Sequence, residues 1–335
     1  MGCNHLTFHL LWGKRRITLA KAVGTLINEY LKRLLPREEI ASSANTPQKR
    51  QLWSIGMYVG TSPLAFGPPE NSTNPVLDRD DVSDVPALFV ADPFMIRQNH
   101  TWYMFFEVLN AQTRTGQIGL AISQDGASWQ YQQIVLAEPF HLSYPYVFQW
   151  EDEYYMVPES CEANSVRLYK AFDFPFEWAF VKTLLEGRKY ADPSIFCFRD
   201  KVWMFASSGS PPFYADNLCL YYADEPLGPW IEHPGSPVVQ ADVRAARPAG
   251  RVVVVEDRVI RYAQDCYPTY GTQVRAFEIT ELSTQTYSER EVDESPVLRA
   301  SGKGWNGSGM HHIDPHCIDQ RRWIASVDGW IRIWV

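Results

Sequence analysis

The amino-acid sequence predicts an all-β fold, a five-bladed β-propeller with an N-terminal helical extension. One phrase recurs five times along the 335 residues: an Asp-Pro-like pair opens a short strand-like run, and a second run rich in aromatic residues follows. The prolines of the five copies stand at positions 93, 145, 193, 248 and 315, so successive copies are 52, 48, 55 and 67 residues apart. A repeat of roughly 40 to 50 residues built from short strands is typical of propeller blades, which have four strands each. Five copies therefore predict five blades.

Each repeat divides into the strands of one blade. In the first copy, residues 91–96 (ADPFMI) are predicted to form the innermost strand and residues 102–107 (WYMFFE) the second. Asp125-Gly126 is a turn signal between the third and fourth strands of that blade. Third strands are predicted at 116–123, 164–171, 216–223 and 271–278, and outer strands near Trp129, Trp178, Trp230 and Tyr287.

The last repeat has too little sequence after it to form a whole blade, since only residues 330–335 remain beyond its second strand. Residues 53–60 (WSIGMYVG) resemble a strand and echo the third strand of the first blade. We therefore predict that this early segment completes the fifth blade. Such closure would remove two open strand edges, which otherwise promote aggregation.

The first 50 residues differ in character from the rest. They are predicted to form a basic helical extension and linker (1–50) that precedes the propeller domain (51–335). Apolar residues recur at helical spacing over residues 14–37, and Pro36 marks the end of this pattern. A basic amphipathic helix of this kind could dock on a membrane or on a partner. We favour the alternative, a helix that packs on the outside of the propeller.

Charge and composition exclude several classes of function. The net charge is −8, and because residues 1–50 hold nine Lys and Arg against three Asp and Glu, the remainder carries −14. Phosphate binding needs a basic surface, so nucleic acid is not expected as a partner. The six cysteines form no Cys-x-x-Cys pair, and the N-terminus lacks a secretory signal. We expect a cytoplasmic location and no cofactor.

The inner strands of a propeller converge on a central channel, so the residues that open the blades should meet in space. A funnel lined by acids, one arginine and aromatic rings suits a sugar, because glycosidic cleavage needs one carboxyl group to protonate the leaving oxygen and a second to activate water or attack carbon. Asp-Pro is also a good turn former, so each pair by itself has a structural alternative. The blade-start residues are Asp92, Tyr144, Asp192, Arg247 and Asp314, and the second strands end at Glu107, Glu159, Ser207, Ser208, Gln264, Asp265 and Asp328.

Residues 311–316 (HHIDPH) bring three histidines and an aspartate together. On a strand, alternation would place His312, Asp314 and His316 on one face, which is compatible with a metal site. No distant ligand can be identified, however, and a single strand rarely supplies a whole site. We therefore predict no metal, and we favour substrate contact or channel lining for His312 and Asp314 over metal binding and over a purely structural role.

Several short phrases carry a family resemblance: ADPF (91–94), WYMFFE (102–107), PES (158–160), DPS (192–194), ARPAG (246–250) and MHHID (310–314). The blade starts resemble the arabinanase, levansucrase and invertase superfamily of five-bladed propellers, which includes glycoside hydrolase families 32, 43, 68 and 130. More closely, the phrases resemble the propeller domain that precedes the glycosyltransferase domain of plant glucosamine inositolphosphorylceramide transferases, and its stand-alone bacterial relatives. The resemblance covers roughly residues 53–329 and leaves out the first 50 residues.

The resemblance implies roles for individual residues. Asp92 matches the first-blade position that is base or nucleophile in the hydrolases, and Asp192 resembles the auxiliary aspartate that orients the substrate and tunes the acid. The hydrolases also use a glutamate acid on a later blade, and this sequence departs from them there, because blade four begins with Arg247. Glu159 is the first candidate for the acid, and Glu107 is the second. The predicted catalytic residues are thus Asp92, Glu159 and Asp192, and the predicted substrate-binding residues are Glu107, Tyr144, Arg247, Gln264, Asp265, His312 and Asp314.

Two hypotheses of function follow. The first is a glycoside hydrolase-like enzyme that acts on a sugar or glycoconjugate in the central funnel through paired carboxylates. The second is a non-catalytic carbohydrate-binding propeller that assists a partner glycosyltransferase in polysaccharide or glycolipid synthesis. The transferase activity of the plant proteins is not implied, because no glycosyltransferase domain follows in this sequence.

Overall fold

The computed structural model of the chain describes residues 49–70, 73–210, 213–319 and 321–334. The helix predicted over residues 14–37 lies outside this part. Five antiparallel sheets form the five blades and confirm the predicted all-β propeller. Strands β1 (Lys49–Ser62) and β2 (Ala65–Gly67) come first in the chain but belong to the last blade. No helix in the described part is long and apolar enough to cross a membrane.

The first three blades each use four consecutive strands, ordered from the channel outward. Blade one contains β3 (Ala87–Gln98), β4 (Thr101–Asn110), β5 (Gly116–Ser123) and β6 (Gln130–Leu136). Blade two contains β7 (Ser143–Trp150), β8 (Glu153–Glu159), β9 (Ser165–Asp173) and β10 (Glu177–Glu186). Blade three contains β11 (Ala191–Phe198), β12 (Lys201–Ser210), β13 (Phe213–Ala223) and β14 (Ile231–Glu232).

Blade four is less regular. Its strands are β15 (Arg247–Pro248), β16 (Val253–Val255), β17 (Arg258–Asp265), β18 (Gln273–Leu282), β19 (Tyr287–Glu291) and β20 (Leu298–Arg299). The inner strand is split into β15 and β16, which both pair with β17. Between them lies Gly250, with φ +124°, where an added Cβ would stand 1.8 Å from the carbonyl oxygen of Ile313. Only glycine lets the two backbones approach so closely.

The fifth blade closes the ring as predicted. It consists of β21 (Ile313–Asp319) and β22 (Arg322–Trp334), followed outward by β1 and β2. Strand β1 pairs with β22 without interruption from Lys49 opposite Trp334 to Gly60 opposite Trp323. The N-terminal strand therefore completes the last blade, and this pairing leaves no open sheet edge at the junction.

The inner strands of blades one to three share a backbone device at their start. Asp92, Tyr144 and Asp192 have φ values of +53°, +48° and +51°, and each lies in a bulge of its strand. In each case a proline follows, which explains the repeated phrase: a left-handed residue makes the bulge and proline fixes the next φ. Left-handed backbone at non-glycine residues is strained, and such strain often occurs at functional sites.

A buried ion pair joins four blades inside the ring. Arg251, which follows β15, donates from Nε to Oδ1 of Asp314 at 2.6 Å and from Nη2 to the carbonyl oxygens of Met95 at 3.2 Å and Val147 at 3.0 Å. The Oδ2 atom of Asp314 accepts hydrogen bonds from the backbone N–H of Met95 at 2.5 Å and from Nε2 of His316 at 2.8 Å. Burial opposes ionisation of Asp314, but the charges of Arg251 and His316 hold its pKa at about 2. The pair thus acts as a central pin between blades one, two, four and five.

Candidate functional site

Asp92 lies at the start of the first blade and is almost completely buried. Its backbone N–H donates to Oδ2 of Asp328 at 3.0 Å. Its carboxyl oxygen Oδ1 has no hydrogen-bond partner among the described residues. Burial, together with the nearby charges of Glu107 and Asp328, raises the pKa of Asp92 well above its ordinary value.

Two buried histidines flank Asp92. The Nε2 atom of His312 lies 3.0 Å from the carbonyl oxygen of Pro93, which can only accept, so Nε2 carries the proton and Nδ1 is an acceptor. That Nδ1 atom is 3.8 Å from Oδ1 of Asp92 and has no hydrogen-bond partner among the described residues. Burial lowers the pKa of His312 to about 4, so the ring is neutral. On the other side, Nε2 of His311 is 3.7 Å from the same Asp92 oxygen.

Asp328 fixes the orientation of His311. Its carboxylate accepts from Nδ1 of His311 at 2.8 Å and from the backbone N–H of His311 at 3.2 Å. Together with the N–H of Asp92, these donors use both carboxylate oxygens of Asp328. Burial alone would favour the neutral acid, but the charge and hydrogen bond of His311 lower the pKa of Asp328.

A second cluster forms around Arg247 at the start of blade four. Its guanidinium binds both oxygens of Asp192, at 2.5 Å from Nε and 3.3 Å from Nη2, and Oε2 of Glu159 at 3.3 Å. The backbone N–H of Asp192 donates to the same Glu159 oxygen at 3.2 Å. Nε2 of Gln264 donates to Oδ2 of Asp192 at 2.7 Å. Blades two, three and four therefore meet at one charged cluster.

The two acids of this cluster titrate in opposite directions. Burial would raise the pKa of Asp192, but the charge of Arg247 and the hydrogen bonds to it lower that pKa. Burial and the neighbouring charge of Asp192 raise the pKa of Glu159 well above its ordinary value. The pKa of Asp192 is thus lowered while the pKa of Glu159 is raised, and the Glu159 side chain is 13% exposed. Pairs of carboxyl groups driven apart in this way are typical of acid–base sites.

Glu107 lies within the second strand of blade one, where it pairs with Ala91, and is nearly fully buried. Its Oε1 atom lies 3.2 Å from Nε2 of His141, but the geometry does not make a hydrogen bond. Because Nδ1 of His141 accepts from the N–H of Gly116 at 2.9 Å, the proton of that ring is on Nε2 when His141 is neutral. Oε1 of Glu107 is therefore a buried acceptor without a hydrogen-bond partner among the described residues.

Aromatic rings line one side of the site. Trp53, from the strand that closes the ring, stacks on His311 with 4.0 Å between ring centroids. Tyr270 packs edge-on against His311, and the Arg247 guanidinium lies 5.1 Å from the Tyr270 centroid. The loop that carries Tyr270 is fixed by a 2.8 Å hydrogen bond from Trp330 to the carbonyl oxygen of Gly271. Trp53 is 1% exposed, so its ring belongs to the packing around His311.

The structure thus brings seven of the ten predicted site residues together around the channel: Asp92, Glu107, Glu159, Asp192, Arg247, Gln264 and His312. The other three are engaged elsewhere. The hydroxyl of Tyr144 is fully buried between Ser194 at 2.8 Å and the backbone of Gly250, whose N–H it accepts at 2.6 Å. The Asp265 carboxylate binds Tyr267, Gln273 and Arg275. Asp314 forms the central pin.

Strand pairing explains the place of Asp314. Phe94 pairs with Phe105 in blade one, whereas Asp314 pairs with Ser326 in blade five. Phe105 and Ser326 both stand two residues before an acid of the second strand, Glu107 and Asp328 respectively. Asp314 therefore corresponds to Phe94, and His312 corresponds to Asp92. Aligning the prolines of the repeats shifted the fifth blade by two residues.

Sequence reasoning did not select four residues that the structure places at the site: His141, Tyr270, His311 and Trp53. His311 could have been found from its position next to His312. The other three come from loops or from the borrowed strand, and no repeat signal marks them.

Asp92, His311 and Asp328 also offer ligand atoms within 4.8 Å of one another, as a metal site would. The donors described above already use both oxygens of Asp328, and a metal would have to displace them. His316, proposed from alternation, binds Asp314 at 2.8 Å instead. The contacts of Asp328 and His316 are therefore those of a hydrogen-bonded network.

The fold and site define a five-bladed propeller with a polar, acid-rich channel. Solved glycoside hydrolases share this fold: a family 117 enzyme from Zobellia galactanivorans (TM-score 0.51, 15% identity, 83% of this chain and 90% of that one) and a glycosyl hydrolase from Bacteroides ovatus (TM-score 0.53, 13% identity, 77% and 92%). At these identities the likeness shows the fold alone.

The family is shown by sequence. Residues 46–330 match the model of the N-terminal domain of glucosamine inositolphosphorylceramide transferase 1, and the chain belongs to this family. Glucosamine inositolphosphorylceramide transferase 1 of Oryza sativa subsp. japonica is 38% identical over 302 residues, which is 84% of this chain and 40% of the relative. The protein of the same name from Arabidopsis thaliana is 36% identical over 298 residues, 83% and 39% respectively. The chain thus spans about two fifths of the length of these relatives.

Proposed function

We propose that the central funnel binds a sugar or glycoconjugate and hydrolyses a glycosidic bond with Glu159 and Asp92. The observation that carries the proposal is the pair of buried clusters around these two acids, because several polar atoms there have no hydrogen-bond partner among the described residues. Oδ1 of Asp92, Oε1 of Glu107, Oε1 of Gln264 and Nδ1 of His312 are buried without a partner among the described residues. Native proteins rarely leave such atoms unsatisfied, and binding sites are a common exception.

The directions of the pKa shifts support these roles. Glu159, whose pKa is raised by burial and by the charge of Asp192, can give a proton to the leaving oxygen as the bond from that oxygen to the anomeric carbon breaks. A water molecule adds to the anomeric carbon and transfers its proton to Asp92, which must be ionised for this step. Arg247 and Asp192 keep Glu159 in place through the contacts above.

The comparisons support a function related to glycans. The fold is the one that glycoside hydrolases use, and the family relatives are named for glucosamine and inositolphosphorylceramide. The same relatives make a glycosyltransferase a reasonable partner class for the domain. A cytoplasmic location remains a prediction from the sequence.

A second candidate function is sugar binding without hydrolysis, in the service of a glycosyltransferase. One specific observation favours it. Blade four opens with Arg247, which occupies both oxygens of Asp192, and burial raises the pKa of Asp92. A raised pKa disfavours the ionised form that a general base needs, which favours binding over hydrolysis.

The test combines turnover and binding in the full chain. Nitrophenyl glycosides, purified envelope glycans and glycosyl inositolphosphorylceramides are incubated with wild type, Glu159→Gln and Asp92→Asn, and Asp319→Asn, an exposed acid on β21, serves as the matched control. Reducing-end release should fall roughly 10²–10⁴-fold in Glu159→Gln while calorimetric binding persists. Binding without turnover in wild type would favour the second candidate. Absence of both binding and turnover would refute a glycan-binding funnel.

A further inference from the structure

Strands β1 and β22 extend beyond the inner strand of their sheet. The inner strand β21 pairs with β22 only as far as Val327, whereas β1 continues to pair with β22 up to Trp334. Residues 49–54 and 329–334 therefore form a two-stranded ribbon. The ribbon begins next to Asp328, so it projects from the end of blade five that carries the candidate site. At about 3.4 Å per residue, its outer end lies about 20 Å beyond that aspartate.

One face of this ribbon changes from buried to exposed along its length. Trp53 and Trp330 pair at its base, and they are 1% and 2% exposed. Two positions further along the same face, Arg332 is exposed, and its guanidinium lies 5.8 Å from the centre of the Trp330 ring. Trp334 follows at the outer end and is 63% exposed. The ribbon is thus fixed to the propeller at its base and presents an aromatic ring and a cation at its outer end.

The charge of the ribbon is opposite to that of the propeller. The ribbon contains no Asp or Glu, and its cationic residues are Lys49, Arg50 and Arg332. Residues 1–50 hold nine Lys and Arg against three Asp and Glu, while the remainder of the chain carries −14. The ribbon is therefore continuous in sequence with the cationic part of the chain. An anionic surface would attract this part and repel the acidic body of the propeller.

Other exposed aromatic side chains stand beside acids. Phe172 and Phe176 on blade two are 67% and 36% exposed, and exposed acids follow them directly, Asp173 and Glu177 respectively. An anionic surface would repel such a patch. The ribbon instead combines an exposed tryptophan with arginines and no acid. This combination is typical of residues at a membrane–water interface, because indole and guanidinium side chains both have an apolar part and a polar end.

We propose that the ribbon binds an anionic phospholipid surface and that the candidate site then faces the lipid. The Trp334 ring enters the headgroup region, and the guanidinium groups of Arg50 and Arg332 contact lipid phosphates. The acidic body of the propeller is held away from the surface by charge repulsion. The inference does not depend on the proposed function, because it concerns a surface outside the channel.

The experiment measures cosedimentation of the full chain with two kinds of vesicle. One kind contains phosphatidylcholine and about one-third phosphatidylglycerol, and the other contains phosphatidylcholine alone. Neither lipid contains a ceramide or a sugar, so this binding is separate from ligand binding in the channel. Wild type should bind the anionic vesicles at least roughly 10-fold more tightly than the neutral ones, and added salt should weaken that binding.

Two pairs of matched variants locate the contact. Trp334→Ala should weaken binding to the anionic vesicles roughly 10-fold, whereas Phe172→Ala, which removes a similarly exposed ring from blade two, should keep it. Arg332→Glu should weaken this binding roughly 10- to 30-fold. Arg199→Glu should keep it, because Arg199 is exposed at the turn between β11 and β12, at the other end of the channel. Urea unfolding midpoints show that each variant is folded.

Each outcome decides the inference. Loss of binding in Trp334→Ala and Arg332→Glu, with both controls unchanged, supports it. Binding to neither kind of vesicle would overturn it, and so would equal binding to both kinds. Wild-type binding by both ribbon variants would assign the contact to another part of the chain and also overturn it. Failure of sugar binding and turnover would remove the proposed function and leave this inference standing.

Discussion

Replacement of Asp314 by asparagine tests the central pin. The folded protein holds the pKa of this carboxyl group at about 2 against an ordinary value of 3.8. At about 1.4 kcal/mol for each pKa unit, this difference contributes about 2 kcal/mol to the free energy of unfolding at pH 7. The substitution also leaves Arg251 buried without a counter-charge, and breaking a buried pair costs about 3–5 kcal/mol. We therefore expect Asp314→Asn to lower the free energy of unfolding by about 2–5 kcal/mol.

The pH dependence has a definite sign. Because the folded pKa is depressed, the stabilisation is present above pH 4 and is lost as pH falls towards 2. The difference between wild type and variant should therefore shrink by about 1 kcal/mol between pH 7 and pH 3. Urea unfolding followed by tryptophan fluorescence measures both quantities. Asp319→Asn, on the same strand but exposed, should stay within about 0.5 kcal/mol of wild type. An Asp314→Asn variant as stable as wild type at pH 7, or a difference independent of pH, would refute the reasoning.

Two further substitutions separate stability from binding. Asp92→Asn removes an acid whose pKa is raised in the folded protein, so its contribution to the free energy of unfolding is kept at low pH and lost as pH rises. The variant should therefore be more stable than wild type by roughly 0.5–2 kcal/mol at pH 8 and by less at pH 5. Lower stability of the variant at both pH values in urea unfolding would contradict this. Tyr144→Phe leaves the N–H of Gly250 without its acceptor and should cost about 1–3 kcal/mol while sugar affinity is unchanged; calorimetry showing lost binding at unaltered stability would instead place Tyr144 at the ligand.

Repeat spacing and strand chemistry were enough to predict the architecture. The third strand of blade one occupies the predicted residues 116–123, and the borrowed segment 53–60 lies within β1. Both depend on local patterns and on the need to close a ring. The split inner strand of blade four could not be predicted in this way, because it arises from the close approach of Gly250 to Ile313, two residues far apart in sequence.

The site was predictable where side chains follow the repeat and unpredictable where they depend on distant contacts. Glu107 and Glu159, predicted from the second strands, lie beside Asp92 and Asp192 respectively, because equivalent positions of the repeat occupy equivalent places in the blades. Tyr144 stands in the same position as Asp92 and has the same left-handed backbone, yet its length carries the hydroxyl to Gly250. The repeat also could not show that Asp314 is equivalent to the position two residues after Asp92, which is Phe94. The first three blades have a bulge at this point of the inner strand, and the fifth blade has none there.

The pairing of β1 with β22 has a consequence for assembly and for fusion. This pairing joins the first and last strands of the domain. Its formation therefore closes a loop of nearly the whole domain, and the entropy cost of that closure must be met before the ring is complete. Four sheets can form during synthesis, but the fifth waits for residues 322–334 to emerge. Because Lys49 and Trp334 lie opposite each other, sequences attached before and after the ring depart from one corner of the molecule.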